Sequence, residues 1–570
     1  MRMRALRFLS LSLLLALPVT ACTDGGEKGG LVDKTPTDPN TETPVTPELP
    51  KAEPVTGTTT FEPAEAPPVL PPAPALAGGV TSGTSVTFDA AYLEDRWLFG
   101  IGADPNGLLA GLGSTGIGIA PTEARLVMEG GHLVARAYDA DAGAVVPGDS
   151  AILMSFPATV ADGQVTVDMK KPAVDLAIEI FNGCSYEASG YTLAGDPVFA
   201  DGLFTWPVDE TFSRVGSCPN WLPRNAQGLD VPYLRHQSAS GNFAPRAVDA
   251  NVPFGFFMSG GRQADELLDR LSGVDDGGAD GRQTYYVTTN FPEVYVEAAR
   301  AAFDSWNDVL EPITGIRPFR LERATPDMIA WDPRYHFVIW DETDSGGAMA
   351  PFGEDPSTGE VVQNLIIMWF GDIDSLVDSY TRFYDKHPDV AAHVLPPAPP
   401  TPEFQGRQAF FDRAGTKAAA AARREAAKRG ALRARAFVKR PLNGEVVRRT
   451  WQQVGLDASR EEIAQSIVTD FLVHEIGHHL GLRHNFKGSI DSDHTNDGDT
   501  SSSTMDYVVG MVGPGRYDID AMRYAYGDGP EETDDLFCTD EDTELDPGCA
   551  PWDFGHPVTY WQGVLDALEA

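Results

Sequence analysis

The chain has 570 residues, of which 42% are hydrophobic, and a formal net charge of −40 from 83 acidic and 43 basic side chains. This length predicts two or more domains with sizeable cores. The strong acidity and the lack of a basic binding stripe exclude a nucleic-acid-binding protein and are typical of a solvated acidic surface.

The first 21 residues have the pattern of an export signal. Arginines precede an apolar run from Leu9 to Val19, which is too short to span a bilayer. The next residues, Val-Thr-Ala-Cys, resemble a bacterial lipobox, which predicts a signal peptide over 1–21 and a lipid-modified Cys22. The alternative is an ordinary signal peptide cleaved near Ala21. The first prediction places the protein in the bacterial cell envelope, on the outer membrane or the cell surface, and the second makes it a secreted protein.

Two regions of different composition follow the signal. Residues 22–84 are rich in Pro, Thr and Gly and cannot bury a core, which predicts a disordered tether. From 85 to 280, apolar and polar residues alternate in short runs between Gly, Asp and Pro turns, which predicts an independent β-rich domain. The pattern leaves open whether this is a removable prodomain or a permanent accessory domain.

Residues 281–570 mix strand and helix patterns and predict an α+β domain. Residues 283–291 have the pattern of a strand, and an amphipathic helix is predicted to begin near Pro292. Residues 335–343 have the pattern of a buried strand. A turn at 355–359 is predicted to lead into another strand that ends near 370.

A basic insertion interrupts this domain at about 386–449. A Pro-rich run comes first, and 11 basic residues then lie between Lys417 and Arg449, on a segment of high helix propensity with little apolar face. The pattern is typical of a solvated helix. The alternatives are a protease-sensitive activation loop and a patch that docks on an acidic surface.

Four cysteines remain after Cys22: Cys184, Cys218, Cys538 and Cys549. In an exported protein they allow three disulfide pairings, of which the local one joins Cys184 to Cys218 and Cys538 to Cys549. The absence of a CxxC motif argues against a cysteine zinc knuckle.

A helix with two histidines on one face is predicted after 459. Ser459 and Glu462 fit a capping box at its beginning. Spacings of three and four then place His474 and His478 on the same face, where both imidazoles reach one point. Glu475 lies one residue further round the helix. From there it can reach a water molecule on a metal ion held by the two histidines, without binding the metal itself.

The end of this helix supplies a third histidine. Gly481 can adopt the left-handed conformation that ends a helix, and the resulting turn brings His484 back to the same metal. The complete pattern, HExxHxxGxxH, predicts a three-histidine zinc site with one position open for water. His479 lies off the ligand face and is predicted to be exposed or to pack behind the ligands.

A short motif lies downstream of the three histidines. Met505, 21 positions after His484, lies in the sequence STMDY. With the zinc motif, it resembles the metzincin clan of zinc metalloproteases, whose members have a methionine turn beneath the metal. The chain also resembles a bacterial group of large zinc-dependent metalloproteases over roughly 281–565. The resemblance implies a catalytic domain with a twisted sheet and an active-site helix, and a zinc-activated water with Glu475 as general base.

Two further expectations depend on the resemblance. Tyr507 matches the tyrosine that astacin-like metzincins place near the zinc, which implies that it stabilises the oxyanion. Metzincin substrates lie extended along an edge strand, and here the strand near 361–370 or the glycine-rich stretch 345–353 is expected to supply that edge.

The acidic stretch 489–500 has two interpretations. Its four aspartates could bind Ca²⁺, although their spacing is not that of an EF-hand, and the alternative is a solvated loop.

Three functions compete at this point. The first is a zinc-dependent endopeptidase that acts on proteins or peptides. The second is a zinc-containing surface lipoprotein that binds without turnover, and the third is a structural coat protein or adhesin. The presence of Glu475 and all three histidines favours the first.

Overall fold

The computed structural model describes residues between 79 and 549, with short gaps and two long ones at 105–117 and 385–458. The predictions for the signal peptide 1–21, for Cys22, for the tether up to residue 78 and for the basic insertion at 386–449 fall outside the described residues. Within the described part of the chain, no helix combines the length and the apolar character that crossing a membrane requires.

The alternating segments of the N-terminal half form an antiparallel sheet of 14 strands. Its main path has the order β1-β2-β8-β7-β5-β4-β3-β14-β13-β10-β9, and every neighbouring pair is antiparallel. One hydrophobic core, which includes Trp97, Phe156 and Trp206, is built by most of its strands. The strands are β1 (Val80–Ser82), β2 (Ser85–Asp89), β3 (Arg96–Ala103), β4 (Gly118–Glu129), β5 (His132–Asp139), β6 (Ala144–Val145), β7 (Ile152–Ala161), β8 (Gln164–Asp168), β9 (Ala177–Phe181), β10 (Cys184–Leu193), β11 (Val198–Ala200), β12 (Leu203–Thr205), β13 (Val208–Gly216) and β14 (Asn225–His236).

The C-terminal half contains a mainly parallel sheet of seven strands. Its main path is β18-β24-β21-β19-β20, and these neighbours are parallel, whereas β22 and β23 pair with β24 in the antiparallel direction. A separate three-stranded sheet has the order β15-β17-β16. The strands are β15 (Ala247–Val248), β16 (Met258–Ser259), β17 (Glu266–Leu268), β18 (Arg270–Leu271), β19 (Gln283–Val287), β20 (Phe319–Arg323), β21 (His336–Asp341), β22 (Gly347–Met349), β23 (Phe352–Glu354) and β24 (Glu360–Trp369).

Among the described residues, four α-helices accompany this sheet: α1 (Val296–Thr314), α2 (Ile373–Tyr384), α3 (Arg460–His479) and α4 (Arg516–Tyr526). Helix α1 follows a short 3₁₀ turn after Pro292 and ends at Gly315, close to the predicted bounds. Helix α3 is buried on nearly all sides, because it packs between α1, α2 and the sheet. The combination of helices and strands agrees with the predicted α+β class.

Both predicted boundaries of the β-rich region need correction. Strand β1 pairs with β2, so the folded region begins before the predicted position 85. At the other end, Phe254, Phe256 and Leu271 belong to the core that surrounds α3 rather than to the N-terminal core. The strands in this stretch have only two or three residues, so they carry too little alternation to reveal where they pack.

Buried polar contacts join the two sheets into one compact unit. Arg96 forms an ion pair with Asp355, and Arg235 Nη2 lies 2.9 Å from Glu360 Oε1. Both carboxylates belong to the predicted turn at 355–359 or to the strand that follows it. Removal of the N-terminal sheet would leave Asp355 and Glu360 without their arginine partners. Loss of the partner of a buried charge is strongly destabilising.

Candidate active site

Helix α3 holds the first two histidines at the predicted positions. The capping box at its beginning is present: Glu462 N donates to Ser459 Oγ, and Ser459 N donates to Glu462 Oε2 at 2.7 Å. The indole nitrogen of Trp306 donates to Val473 O at 2.9 Å, beside the first histidine. The position of His474 and His478 is therefore determined by a helix that is fixed at its beginning and along its length.

A tight turn after α3 reverses the chain toward the third histidine. Gly481 has φ +99°, and a Cβ atom at this position would collide with the carbonyl oxygen of Asp269. Its carbonyl accepts a hydrogen bond from Phe257 N at 2.8 Å, while Arg483 N donates to Gly255 O at 3.0 Å. The segment at Gly255–Phe257 thus holds the middle of the zinc motif in place. Position 481 requires glycine, because the backbone is left-handed there and no Cβ atom fits.

The three histidines lie together around one point. The imidazole ring centroids are 4.8 Å apart for His474 and His478, 4.8 Å for His478 and His484, and 5.4 Å for His474 and His484. One potential ligand atom from each histidine lies within 4.8 Å of the other two. The structure therefore brings together the three residues that the spacing predicted to share a metal.

Oxygen acceptors orient each of these imidazoles. The Nδ1 atom of His474 lies 2.7 Å from Thr504 O, that of His478 lies 2.8 Å from Leu482 O, and that of His484 lies 2.9 Å from Asp540 Oδ2. Because these oxygens can only accept, Nδ1 carries the proton and Nε2 carries the lone pair in each neutral ring. Three imidazole nitrogens of this kind fit Zn²⁺, which takes neutral histidine ligands.

Glu475 and Tyr507 lie beside the histidine cluster. The Glu475 side chain is 5% exposed. The Tyr507 ring centroid is 4.5 Å from that of His484 and 5.7 Å from that of His474. Burial, with smaller contributions from the charges of Asp540 and Glu475, raises the pKa of Tyr507 far above its usual value. Its hydroxyl therefore keeps its proton and remains a hydrogen-bond donor.

Met505 lies directly under α3. Its side chain is fully buried, and a Cβ atom at Gly477 would collide with its sulphur. The turn is tied to the chain after the third histidine, because Asn485 N donates to Met505 O at 3.0 Å. Close packing of the methionine thus explains why position 477, between the first two histidines, is a glycine.

A buried carboxylate that sequence patterns did not predict holds this methionine turn. Asp518 accepts hydrogen bonds from Ser503 Oγ at 2.6 Å and from the backbone nitrogens of Thr504 and Gly515, both at 2.7 Å. Thr504 is the residue whose carbonyl orients His474, so Asp518 supports the first ligand through the turn. Burial raises the pKa of Asp518 to about 7, although these hydrogen bonds lower it.

The pKa of Asp518 predicts a pH effect on stability. The folded carboxyl holds its proton up to about pH 7, whereas the carboxyl of the unfolded chain loses it near its ordinary pKa of 3.8. This contribution to stability is therefore complete below about pH 4 and is lost as the pH rises to about 7. We expect the Tm of Asp518→Asn to fall less than that of the wild type between pH 5 and pH 8. A difference of about 1 kcal/mol in the free energy of unfolding corresponds to a shift of roughly 2–4 °C in Tm.

Thermal unfolding of both proteins at the two pH values measures this effect. The remaining acidic groups and buried histidines are the same in both proteins, so their contributions cancel in the comparison. Parallel pH profiles for the two proteins would contradict the assignment of this titration to Asp518.

His479 occupies the second of its two predicted positions, behind the ligands. Its side chain is completely buried rather than exposed, with Nδ1 3.0 Å from the hydroxyl of Tyr285 and Nε2 3.0 Å from Leu365 O. Burial lowers the pKa of His479 to about 3, so the ring is neutral. It packs behind the ligands, between helix α3 and the sheet, and connects the two.

The predicted edge strand also needs correction. Strand β24 (Glu360–Trp369) is internal, since it pairs with β21 on one side and with β22 and β23 on the other. The second candidate, 345–353, contributes β22 and most of β23, which lie outermost on that side of the described sheet. Phe257 connects this edge to the site, because its ring centroid is 5.2 Å from Phe352 and 5.8 Å from His478.

A disulfide closes the segment that carries Asp540. Cys538 and Cys549 are bonded, as predicted, and Cys538 packs with Phe486 and Tyr507 beside the site. Cys218 is also disulfide-bonded. The predicted Cys184–Cys218 pairing stays a prediction, because the side chain of Cys184 lies outside the described part of the structure.

Comparison with known families agrees with this geometry. Residues 457–560 match a family model described as Met-zincin. The matched residues are those of a metzincin-type zinc metalloprotease. The match covers helix α3, all three histidines and Met505, and it implies zinc as the metal. No curated protein and no solved structure matches the chain.

Proposed function

We propose that this metzincin is an exported endopeptidase that cleaves proteins or peptides with Glu475 as its general base. The proposal depends on one observation: the buried carboxylate of Glu475 and the three oriented imidazoles lie together at the end of a rigid helix. A site built only to hold zinc has no need for an additional buried carboxylate between two of its ligands.

Each side chain has a distinct part in the proposed reaction. His474, His478 and His484 would hold the zinc through Nε2. Bound Zn²⁺ supplies Lewis acidity, which lowers the pKa of water toward about 7 and polarises the scissile carbonyl. Glu475 accepts the proton of the attacking water and then transfers it to the leaving amine. The Tyr507 hydroxyl, which keeps its proton, donates a hydrogen bond to the developing oxyanion.

The outer strands β22 and β23 are the proposed substrate edge. An extended peptide can add to such an edge through main-chain hydrogen bonds. Phe257 and Phe352 lie between this edge and His478, so a substrate side chain that enters here meets aromatic rings. This arrangement supports binding of an extended chain rather than of a compact small molecule.

Removal and return of zinc tests the proposed activity. We expect the purified full chain to cleave casein, to lose this activity after treatment with a zinc chelator, and to regain it when Zn²⁺ is added back. Cleavage that persists in the fully metal-free protein would contradict the proposal.

We also propose that the protein is tethered to the outer membrane or cell surface through a lipid on Cys22. The apolar run, the lipobox-like sequence and the Pro-rich stretch after it support this proposal. Mass analysis of the N-terminus of the native protein is expected to find a lipid-modified Cys22, and a mature chain that lacks this residue would overturn the tether.

A zinc-containing surface lipoprotein without turnover is the competing function. It would need the same histidines but no general base. Replacement of Glu475 distinguishes the two functions. It removes the peptidase activity of an endopeptidase, whereas it changes nothing measurable in a binding protein without turnover.

A further inference from the structure

A second cluster of potential metal ligands lies on the loop that follows the zinc motif. His494 Nδ1 lies 2.8 Å from Asp491 Oδ1 and 3.3 Å from Asp535 Oδ1. These three residues are the second group of described side chains whose ligand atoms lie within 4.8 Å of one another. The cluster joins the loop after His484 to the segment that carries Asp540.

One oxygen of this cluster has no hydrogen-bond donor. The Asp535 side chain is only 2% exposed, and its Oδ1 atom accepts no hydrogen bond from any described residue. The imidazole cannot provide one, because its single Nδ1 proton serves Asp491 at the shorter distance. A buried carboxylate oxygen without a donor is costly, and a cation between it and the imidazole would remove that cost.

One oxygen of each aspartate accepts a hydrogen bond from the neighbouring chain. Leu536 N donates to Asp491 Oδ2 at 2.9 Å, and Thr533 Oγ1 donates to Asp535 Oδ2 at 2.5 Å. The Oδ1 atoms of both aspartates face His494 Nδ1, and Asp491 Oδ2 lies 2.9 Å from the same nitrogen. The other ring nitrogen, Nε2, lies 3.3 Å from Asp534 Oδ1. An ion at Nδ1 would displace the proton that this nitrogen donates to Asp491. The ring would then keep its proton on Nε2, where Asp534 can accept a hydrogen bond, and the Nδ1 lone pair would face the ion.

We propose that Asp491, His494 and Asp535 bind a second divalent ion of the first transition series, Zn²⁺ or Mn²⁺. One imidazole nitrogen with two carboxylate oxygens suits these ions, whereas Ca²⁺ takes six to eight oxygen ligands. The site shares Asp491 and His494 with the loop 489–500 but takes its third ligand from outside that loop. It does not depend on the proposed peptidase activity.

The position of the site gives the ion a structural role. Asp535 begins a segment that is paired with the zinc motif loop: Asn485 Nδ2 donates to Leu536 O at 3.0 Å, and Phe486 N donates to Cys538 O at 2.9 Å. This segment ends at Asp540, which orients His484. An ion at Asp535 therefore fastens the beginning of the segment on which the third zinc ligand depends.

Metal counting in a variant that lacks the first site tests this proposal. In the full chain with His474→Gln and His478→Gln, we expect about one equivalent of Zn²⁺ or Mn²⁺ after desalting, and a Tm that rises when either ion is added. Adding Asp535→Asn is expected to remove both the bound ion and the rise in Tm. Asp493→Asn is the matched control, since it removes the same charge from an exposed position of the loop and should leave both unchanged.

The wild-type chain provides a second measurement if the triple variant does not fold. It is expected to hold about two transition ions, and Asp535→Asn alone about one. A wild-type chain that holds one ion overturns the second site. So does a double variant that binds no ion, binds only Ca²⁺, or keeps its ion after Asp535→Asn.

Discussion

Replacement of Glu475 by Gln is expected to lower kcat for peptide cleavage by about 10²–10⁴-fold, the usual contribution of a general base. Glutamine has the same shape, so it fits the buried position, but its amide cannot accept the proton of the attacking water. Zinc content should remain at the wild-type level, because the three ligands are histidines. Measurement of kcat and of zinc by mass spectrometry on the same sample gives both values.

Glu297→Gln serves as the matched control for this experiment. The variant makes the same Glu-to-Gln change on another helix, α1, where the side chain of Glu297 is 84% exposed. We expect its cleavage rate and zinc content to equal those of the wild type. Retention of cleavage within about tenfold by Glu475→Gln, with zinc fully bound, would exclude Glu475 as the base, since the expected loss is at least about 10²-fold.

Replacement of Gly481 by Ala is expected to damage the zinc site through the backbone. The left-handed conformation costs roughly 1–2 kcal/mol for alanine, and the collision with the Asp269 carbonyl adds to that cost. The turn must then open, which moves His484 away from the other two ligands. We expect a fall in Tm of roughly 4–8 °C and zinc binding weakened by about tenfold or more.

Gly315→Ala separates the collision from the conformational strain. Gly315 ends α1 with φ +81°, but a Cβ atom there meets no heavy atom within 4 Å. Its replacement should lower Tm by a similar conformational cost and leave zinc affinity unchanged. Competitive chelator titration of both variants measures the affinity. Equal zinc affinity in Gly481→Ala and the wild type would show that this turn does not position His484.

The parts of the site that sequence could predict depend on contacts close along the chain. The capping box joins Ser459 to a residue three positions away, and the helical repeat alone brings His474 and His478 together. The return to His484 follows from a single glycine conformation. Strands β21 and β24 were predictable in a similar way, because each is a long apolar run bounded by turn residues.

The supports of the site were not predictable, because they come from distant segments. Asp540 orients His484 from 56 positions away, and Phe257 reaches the turn at Gly481 from the region that composition assigns to the β-rich domain. Asp518 has no motif around it that predicts a buried carboxylate. For the same reason, the sequence left open whether His479 is exposed or packs behind the ligands, since only the sheet determines whether that side of α3 is covered.

Anomalous diffraction at the zinc absorption edge, from crystals of the full chain, shows directly whether the three histidines share one zinc ion. We expect a peak about 2.0–2.1 Å from Nε2 of His474, His478 and His484, with Glu475 beside it but not bound to the metal. A peak that lacks any one of these histidines as a ligand, or no peak between them in a protein that cleaves peptides, would contradict it.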